Sequence, residues 1–173
     1  MTSKEKIRKE VKFLFGKILI FLFILWVMFF QIFGIMRCAD SMMKPAFQNG
    51  DLVIYDRMQR SYDIEETIVI KKDEKLQVMR IVASEGDTID MTKDGIKING
   101  YLQRQNEMDI KTFPYKEGIT FPITVQKDEF FVLGDNRNNS EDSRYANIGN
   151  VKKDYIIGKA WFRVSPWKKF GFI

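Results

Sequence analysis

The 19 residues from Ile18 to Met36, between Lys17 and Arg37, carry no charge. A segment of this kind has few ways to fold. At about 1.5 Å rise per residue it makes a helix of roughly 28 Å, close to the thickness of a bilayer's hydrocarbon core. Gln31 and Gly34 are its weak positions, and Trp26 lies mid-span rather than at an interface. A cleaved signal peptide needs a shorter apolar core and a small-x-small site behind it. The residues that follow, Ile35-Met36-Arg37-Cys38-Ala39-Asp40, offer no such site. A lipoprotein would use Cys38, but Arg37 directly before it is a poor fit. The pattern predicts an uncleaved anchor. Residues 1–17 form a basic cytoplasmic tail, 18–36 a transmembrane helix and 38–173 an extracytoplasmic body, with the lone Cys38 a small residue leaving the membrane.

Charge supports that division. The formal net charge is +5. Residues 1–37 hold seven basic and two acidic residues, which accounts for the whole excess; the remaining 21 basic and 21 acidic residues cancel. Basic residues before an apolar span place the N-terminus in the cytoplasm. A neutral body without a basic stripe argues against nucleic acid as a partner. The chain has no histidine and one cysteine. Those counts exclude a Ser-His-Asp triad, a Cys-His dyad, a thiolate metal cluster and a disulfide framework. No metal or cofactor is expected.

Beyond residue 45 no long amphipathic helix stands out. Short apolar and β-branched runs alternate with turn residues instead. Leu52–Tyr55, Thr67–Ile70, Leu76–Val82, Ile89–Met91, Ile96–Ile98, Phe130–Leu133 and Tyr155–Val164 read as strands. Asp94-Gly95 between two alternating runs predicts a hairpin, and Asn99-Gly100 a further turn. Residues 101–126 are polar, contain proline and read as a long excursion. The expected fold class is mainly β, an antiparallel sheet body behind one N-terminal helix.

Three blocks in this order carry a resemblance. The first is Asp40-Ser41-Met42-Met43-Lys44-Pro45 with Asn49-Gly50-Asp51. The second is Val78-Met79-Arg80-Ile81-Val82 with Glu85-Gly86-Asp87. The third runs from Phe131 through Gly134-Asp135-Asn136-Arg137 and Ser140-Glu141-Asp142-Ser143-Arg144 to Gly158-Lys159-Ala160. The chain resembles a type I signal peptidase of the short Gram-positive kind. That resemblance implies a signal peptidase-type β-sheet body and a Ser-Lys dyad in which a buried lysine is the base. Burial lowers a lysine's pKa, so its neutral amine can take the serine proton near neutral pH. It also implies substrates that are exported precursors, with an extended segment laid along a strand edge.

Both dyad positions depart from the family pattern. The nucleophile motif is Ser-Met-x-Pro-Thr, and alignment on Pro45 puts Met42 at the serine, with Ser41 one residue early. The base motif puts Met79 at the lysine, while Arg80 and Gly86-Asp87 keep their places. A thioether has no useful proton affinity. In a strand, a one-residue slip turns Ser41 to the opposite face unless a bulge absorbs it. Lys44, three residues from Ser41 in an extended segment, points away from it. Lys71, Lys72 and Lys75 lie in or beside a charged turn where an amine stays hydrated. The resemblance thus implies a former site with vacated dyad positions Met42 and Met79. Its scaffold would be Arg80, Asp135, Ser140, Asp142, Ser143 and Arg144. Asp142 and Arg144 are expected to form a charge-assisted pair, with Ser140 or Ser143 hydrogen-bonding nearby. A structural reading makes Gly134–Arg137 a tight turn whose Asp and Asn cap their own backbone.

The expected function is that of a signal peptidase-like membrane protein without protease activity. It binds exported precursors or pilin and surface-protein segments as an assembly accessory of the kind the resemblance associates with pili. The alternative is an active signal peptidase that uses a shifted Ser41. The expected partners are these segments and the lipid bilayer. The aromatic and basic tail, Trp161 to Ile173, suits either late-strand core with a loose end or a headgroup layer.

Overall fold

The computed structural model describes residues 3–72, 74–103, 112–115, 118–166 and 170–173. Helix α1 covers Ser3–Ile32. It is long and apolar enough to cross a membrane, and its apolar stretch is not buried by the rest of the protein. The helix does not run to Met36. Strand β1, Phe33–Arg37, follows it without a linker. The change occurs where Gly34 meets the body: a Cβ there would lie 2.1 Å from the Tyr55 ring, so only glycine allows the strand to pack this closely. The Ile32 carbonyl, free at the helix end, accepts the Arg57 N–H at 2.9 Å. Cys38 lies beyond β1 and is 5% exposed, a core residue rather than one leaving the membrane.

The body is mainly antiparallel β. Its further strands are β2 Leu52–Asp56, β3 Thr67–Lys72, β4 Lys75–Ala83, β5 Thr88–Thr92, β6 Gly95–Ile98, β7 Tyr101–Leu102, β8 Ile123–Thr124, β9 Glu129–Leu133, β10 Val151–Lys152, β11 Ile156–Ser165 and β12 Gly171–Phe172. One sheet has the order β1-β2-β11-β3-β4-β9-β10, with β12 added to β11; the other has the order β7-β6-β5-β8. The Asp94-Gly95 hairpin joins β5 and β6. The stretch expected as an excursion contributes β7 and β8 to the small sheet. Strand length explains why these two escape a pattern-based reading, since two residues show no alternation. The tail is not loose throughout, because Phe172 pairs with Phe162 and Gly171 with Arg163. Trp167, Lys168 and Lys169 lie outside the described residues.

Strands β3 and β4 divide the core. Successive side chains of a strand point to opposite faces. Val69 and Val78 face one apolar cluster with Met36, Met43, Phe47 and Tyr55. Ile68, Ile70, Met79 and Ile81 face a second one with Phe130, Val132 and Ile156. A third cluster, with Ile89, Ile96, Phe131 and Leu133, lies under the small sheet.

Candidate functional site

Residues 38–51 link β1 to β2 and carry the first block. Their ends are tied together: the Cys38 N–H donates to the Asp51 carbonyl at 2.8 Å, and the Gly50 N–H to the Cys38 carbonyl at 2.8 Å. Between these ties the chain is a turn, not an extended segment. The Lys44 N–H donates to the Ser41 carbonyl at 3.2 Å, and the Phe47 N–H to the Met43 carbonyl at 2.8 Å. Lys44 is therefore close to Ser41 along the backbone, which corrects the extended geometry expected from sequence, yet its side chain is exposed.

The two adjacent methionines diverge. Met43 is 2% exposed in the first cluster, and its Sδ accepts the Asp135 N–H at 3.4 Å. Met42 turns the other way and packs against the second cluster, which contains Met79. Its Sδ accepts the Glu141 N–H at 3.4 Å, and its carbonyl accepts the Asn136 N–H at 2.8 Å. Met79 is completely buried on β4, opposite Ile68 of β3. The two methionines that sequence alignment pairs are thus brought to the same apolar cluster.

Beside them the third block forms a polar lattice. Asp142 and Arg144 are buried and joined by two 2.8 Å bonds, Nε to Oδ1 and Nη2 to Oδ2. Ser140 Oγ donates to Asp142 Oδ2. Arg144 Nη2 also donates to the Arg137 carbonyl and to the Tyr115 hydroxyl, each at 2.8 Å. Ser143 Oγ accepts the Val132 N–H at 2.9 Å, which locks the block to β9. Asp135 does not cap its own turn. Its carboxylate takes a two-pronged bond from Arg80, 2.7 Å on each side, while Arg80 Nη1 holds the Glu65 carbonyl at 2.8 Å. The bond to Asp135 raises the Arg80 pKa above its ordinary value. Asn136 Nδ2 reaches instead to the Ser41 carbonyl at 3.2 Å. The turn therefore serves as a strut between the first and second blocks. Asp135 meeting Arg80, 55 residues earlier, was not readable from sequence. Arg137, also buried, has its pKa lowered by desolvation; its Nη1 donates to Thr112 Oγ1 at 3.1 Å.

A cavity of about 700 Å³ lies between these parts. One wall is the segment Met36–Met42, another is Leu76 and Gln77 of β4, and the third holds Tyr115, Ser140 and Tyr145. Both flanking backbones have a free side. Strand β1 has β2 as its neighbour in the sheet, and β4 pairs with β9 from Arg80 onward, leaving Leu76–Met79 bonded to β3 alone. The cavity thus offers two strand edges with a mixed apolar and polar lining between them, which suits an extended peptide. Ser41 lies on its wall and Lys75 at its rim. The Ser41 hydroxyl has no hydrogen-bond partner among the described residues. No lysine is buried among those residues, and the buried charged groups are Asp51, Asp135, Arg137, Asp142 and Arg144.

A family model described as signal peptidase, peptidase S26, matches residues 8–167. The chain is 32% identical over 148 residues to a signal peptidase I of Bacillus caldolyticus, covering 75% of this chain and 78% of that one. It is 28% identical over 145 residues to a probable signal peptidase I-2 of Synechocystis. That match covers 78% of this chain but spans 64% of the relative, just under two thirds of its length. A crystal structure of a signal peptidase I from Enterococcus faecalis superposes with a TM-score of 0.45 at 24% identity, covering 57% of this chain and 96% of that one.

Proposed function

The chain belongs to the signal peptidase family, peptidase S26, and we propose that it is a membrane-anchored member that holds exported precursors without cutting them. The apolar helix and the relatives together mark a membrane-anchored protein. In the proposed topology the basic residues before the helix stay inside and the β body lies outside. The client is an extended segment of an exported precursor, or of a pilin or surface subunit, bound along the free edges of β1 and β4. The protein then acts as an accessory in assembly, a role drawn from the family resemblance.

The observation that carries this reading is Met79, fully buried and sharing its cluster with Met42. A general base must offer a proton-accepting atom within hydrogen-bond reach of the nucleophile, and a thioether among isoleucine, valine and phenylalanine offers none. The intact lattice around Asp142 and Arg144 then keeps the shape of the groove, while methionine gives it a soft apolar lining.

The experiment is a cleavage assay of full-length protein in detergent, with a precursor bearing a standard signal peptide. Binding of the same precursor is followed by fluorescence anisotropy. Saturable binding without cleavage is the expected result, with cleavage appearing in Met42→Ser/Met79→Lys. Cleavage by the unmodified protein would overturn the proposal. A second reading, an active peptidase, is favoured by one observation: Ser41 opens onto the same cavity as Lys75 and Ser140. It requires that Ser41→Ala abolish any cleavage seen.

A further inference from the structure

Where β4 borders the groove it reads Leu76-Gln77-Val78-Met79, one uncharged polar residue among apolar ones. Gln77 pairs with Ile70 of β3, and paired residues of antiparallel strands share a face. Ile70 and Met79 belong to the second apolar cluster, against which Met42 packs. Alternation thus puts the Gln77 side chain on the face of the two dyad-position methionines, and Leu76 and Val78 on the opposite one. Gln77 Oε1 is buried there and accepts no hydrogen bond. Buried polar atoms are nearly always bonded, because an unmade bond leaves the desolvation of the group uncompensated. Among the described residues four other side-chain atoms share this state, on Thr67, Arg137, Asn150 and Arg163. None of those four residues lines the cavity of about 700 Å³, whereas Gln77 does.

The strand also fixes what can reach this amide. The Ile81 N–H donates to the Glu66 carbonyl at 2.9 Å, on the β3 side of β4. Bonded and free backbone groups alternate along one side of an antiparallel strand. Gln77 and Met79 therefore bond toward β3, while the N–H and C=O of Leu76 and Val78 point to the free edge. A client segment paired with that edge sets one residue directly opposite Gln77 and on its face, with Cβ atoms about 4.5–5.5 Å apart. The terminal torsion of glutamine is broad, so the amide can turn its oxygen toward that residue. An alanine or leucine opposite leaves the oxygen unbonded. An ammonium or carboxylate brings an ion beside Met42 and Met79, where it loses its hydration. A carboxamide is uncharged and matches a second carboxamide with one bond donated and one accepted, whichever way the pair is turned. A hydroxyl makes one such bond.

We propose that Gln77 is a specificity-determining residue of the groove: it selects a client whose residue opposite it carries a carboxamide, asparagine or glutamine, with serine or threonine next in order. The proposal rests on the client-binding reading and deepens it. The groove is not a general apolar slot for extended chain but reads one uncharged polar side chain on the methionine face.

The test uses full-length protein in detergent and a fluorescent precursor whose extended segment after the signal peptide core is replaced, one residue at a time, by alanine or by asparagine. Binding is followed by anisotropy. At one position asparagine should bind about three- to tenfold more tightly than alanine. In Gln77→Leu that gain should fall to nothing, while the alanine precursor binds as well as before. Gln77→Leu should also unfold at a urea concentration no lower than the unmodified protein, since it removes an unbonded buried atom. No asparagine gain at any position, with the precursors still bound, overturns the proposal and leaves client binding standing. An equal gain in Gln77→Leu assigns the contact to another group of the cavity and overturns it too. A lower unfolding midpoint for Gln77→Leu shows the amide to be bonded in the free protein, which removes the argument. Absence of saturable binding by every precursor overturns the client-binding reading, and this inference with it.

Discussion

An amine placed at position 79 would enter a cluster of Ile68, Ile81, Phe130 and Val132 from which water is excluded. Burial of that kind depresses a lysine's pKa by up to about 3–5 units. In Met79→Lys alone, the unfolded state would then bind a proton that the native state does not. Stability should therefore rise with pH between about 6 and 10, measured by urea unfolding in detergent, while the unmodified protein lacks that slope. Cys38 gives the opposite sign. Burial, followed by Asp51 and Asp40, pushes its thiol from 9.0 up to about 12. The stabilisation of the neutral thiol is complete below 9.0 and is lost as the pH climbs toward about 12. Unfolding midpoints at two alkaline pH values should fall more steeply for the unmodified protein than for Cys38→Ala. At this scale the resemblance sets Met42 and Met79 at the family's dyad positions, because Pro45 and Gly86-Asp87 fix the spacing on one side of each. It did not tell which cluster each of Met42 and Met43 faces, because that depends on how the turn closed by the Lys44–Ser41 and Phe47–Met43 backbone bonds is set against the sheet.

Two elements act as rigid supports, and each has a substitution that exposes its role. The strut formed by residues 134–137 comes within contact of the first block at Gly134, where a Cβ would meet the Met42 carbonyl at 2.6 Å and the Ser140 Cβ at 2.5 Å. Backbone cannot move aside as a flexible side chain does. Gly134→Ala should cost about 1–3 kcal/mol by overpacking and weaken precursor binding with it, since the Met42 segment is a wall of the groove. The second support is the Asp142–Arg144 pair. Removing one member of a buried pair leaves an unpaired charge, at a cost of about 3–5 kcal/mol, whereas replacing both by apolar residues costs far less. Denaturant unfolding of Arg144→Met beside Asp142→Leu/Arg144→Met should show the double variant as the more stable. A single variant no worse than the double would mean that the pair is not coupled. The pair and its serine were legible because the motif places all three within five residues; the Arg80–Asp135 bond was not, because only sheet pairing brings β4 beside β9. Helix α1 was legible as an apolar run, but its end was not. A run of apolar residues continues through Phe33–Met36 whether those residues are helix or strand, and the Tyr55 ring over Gly34 decides for strand.

For the whole molecule, the shortened helix moves the membrane boundary. With β1 starting at Phe33, the uncharged helical part is Ile18–Ile32, too short by itself for a hydrocarbon core of about 30 Å. Extending it back to Phe13 gives a helix of about 30 Å with Lys17 as its single charge. The Lys17 ammonium lies 4.5 Å from the Phe13 ring, and a lysine this near a helix end can reach back to the headgroups. In the proposed topology the body then follows the bilayer directly on one side, and the basic residues Lys4, Lys6, Arg8, Lys9 and Lys12 lie on the other. Orientation in such a chain follows the basic residues flanking the span, not the acidic ones. Replacing those five by glutamine should shift a fraction of molecules to the reverse orientation, because Arg37, Lys44 and Arg57 then outweigh what remains before the helix. A phosphatase fused after Ile173, active only outside the cytoplasm, should lose activity in that variant at equal expression. The same fusion on the unmodified chain should be fully active, and an inactive one would place the β body inside. Precursors being exported would then be out of reach of the groove between β1 and β4, so the proposed function and the orientation stand or fall together.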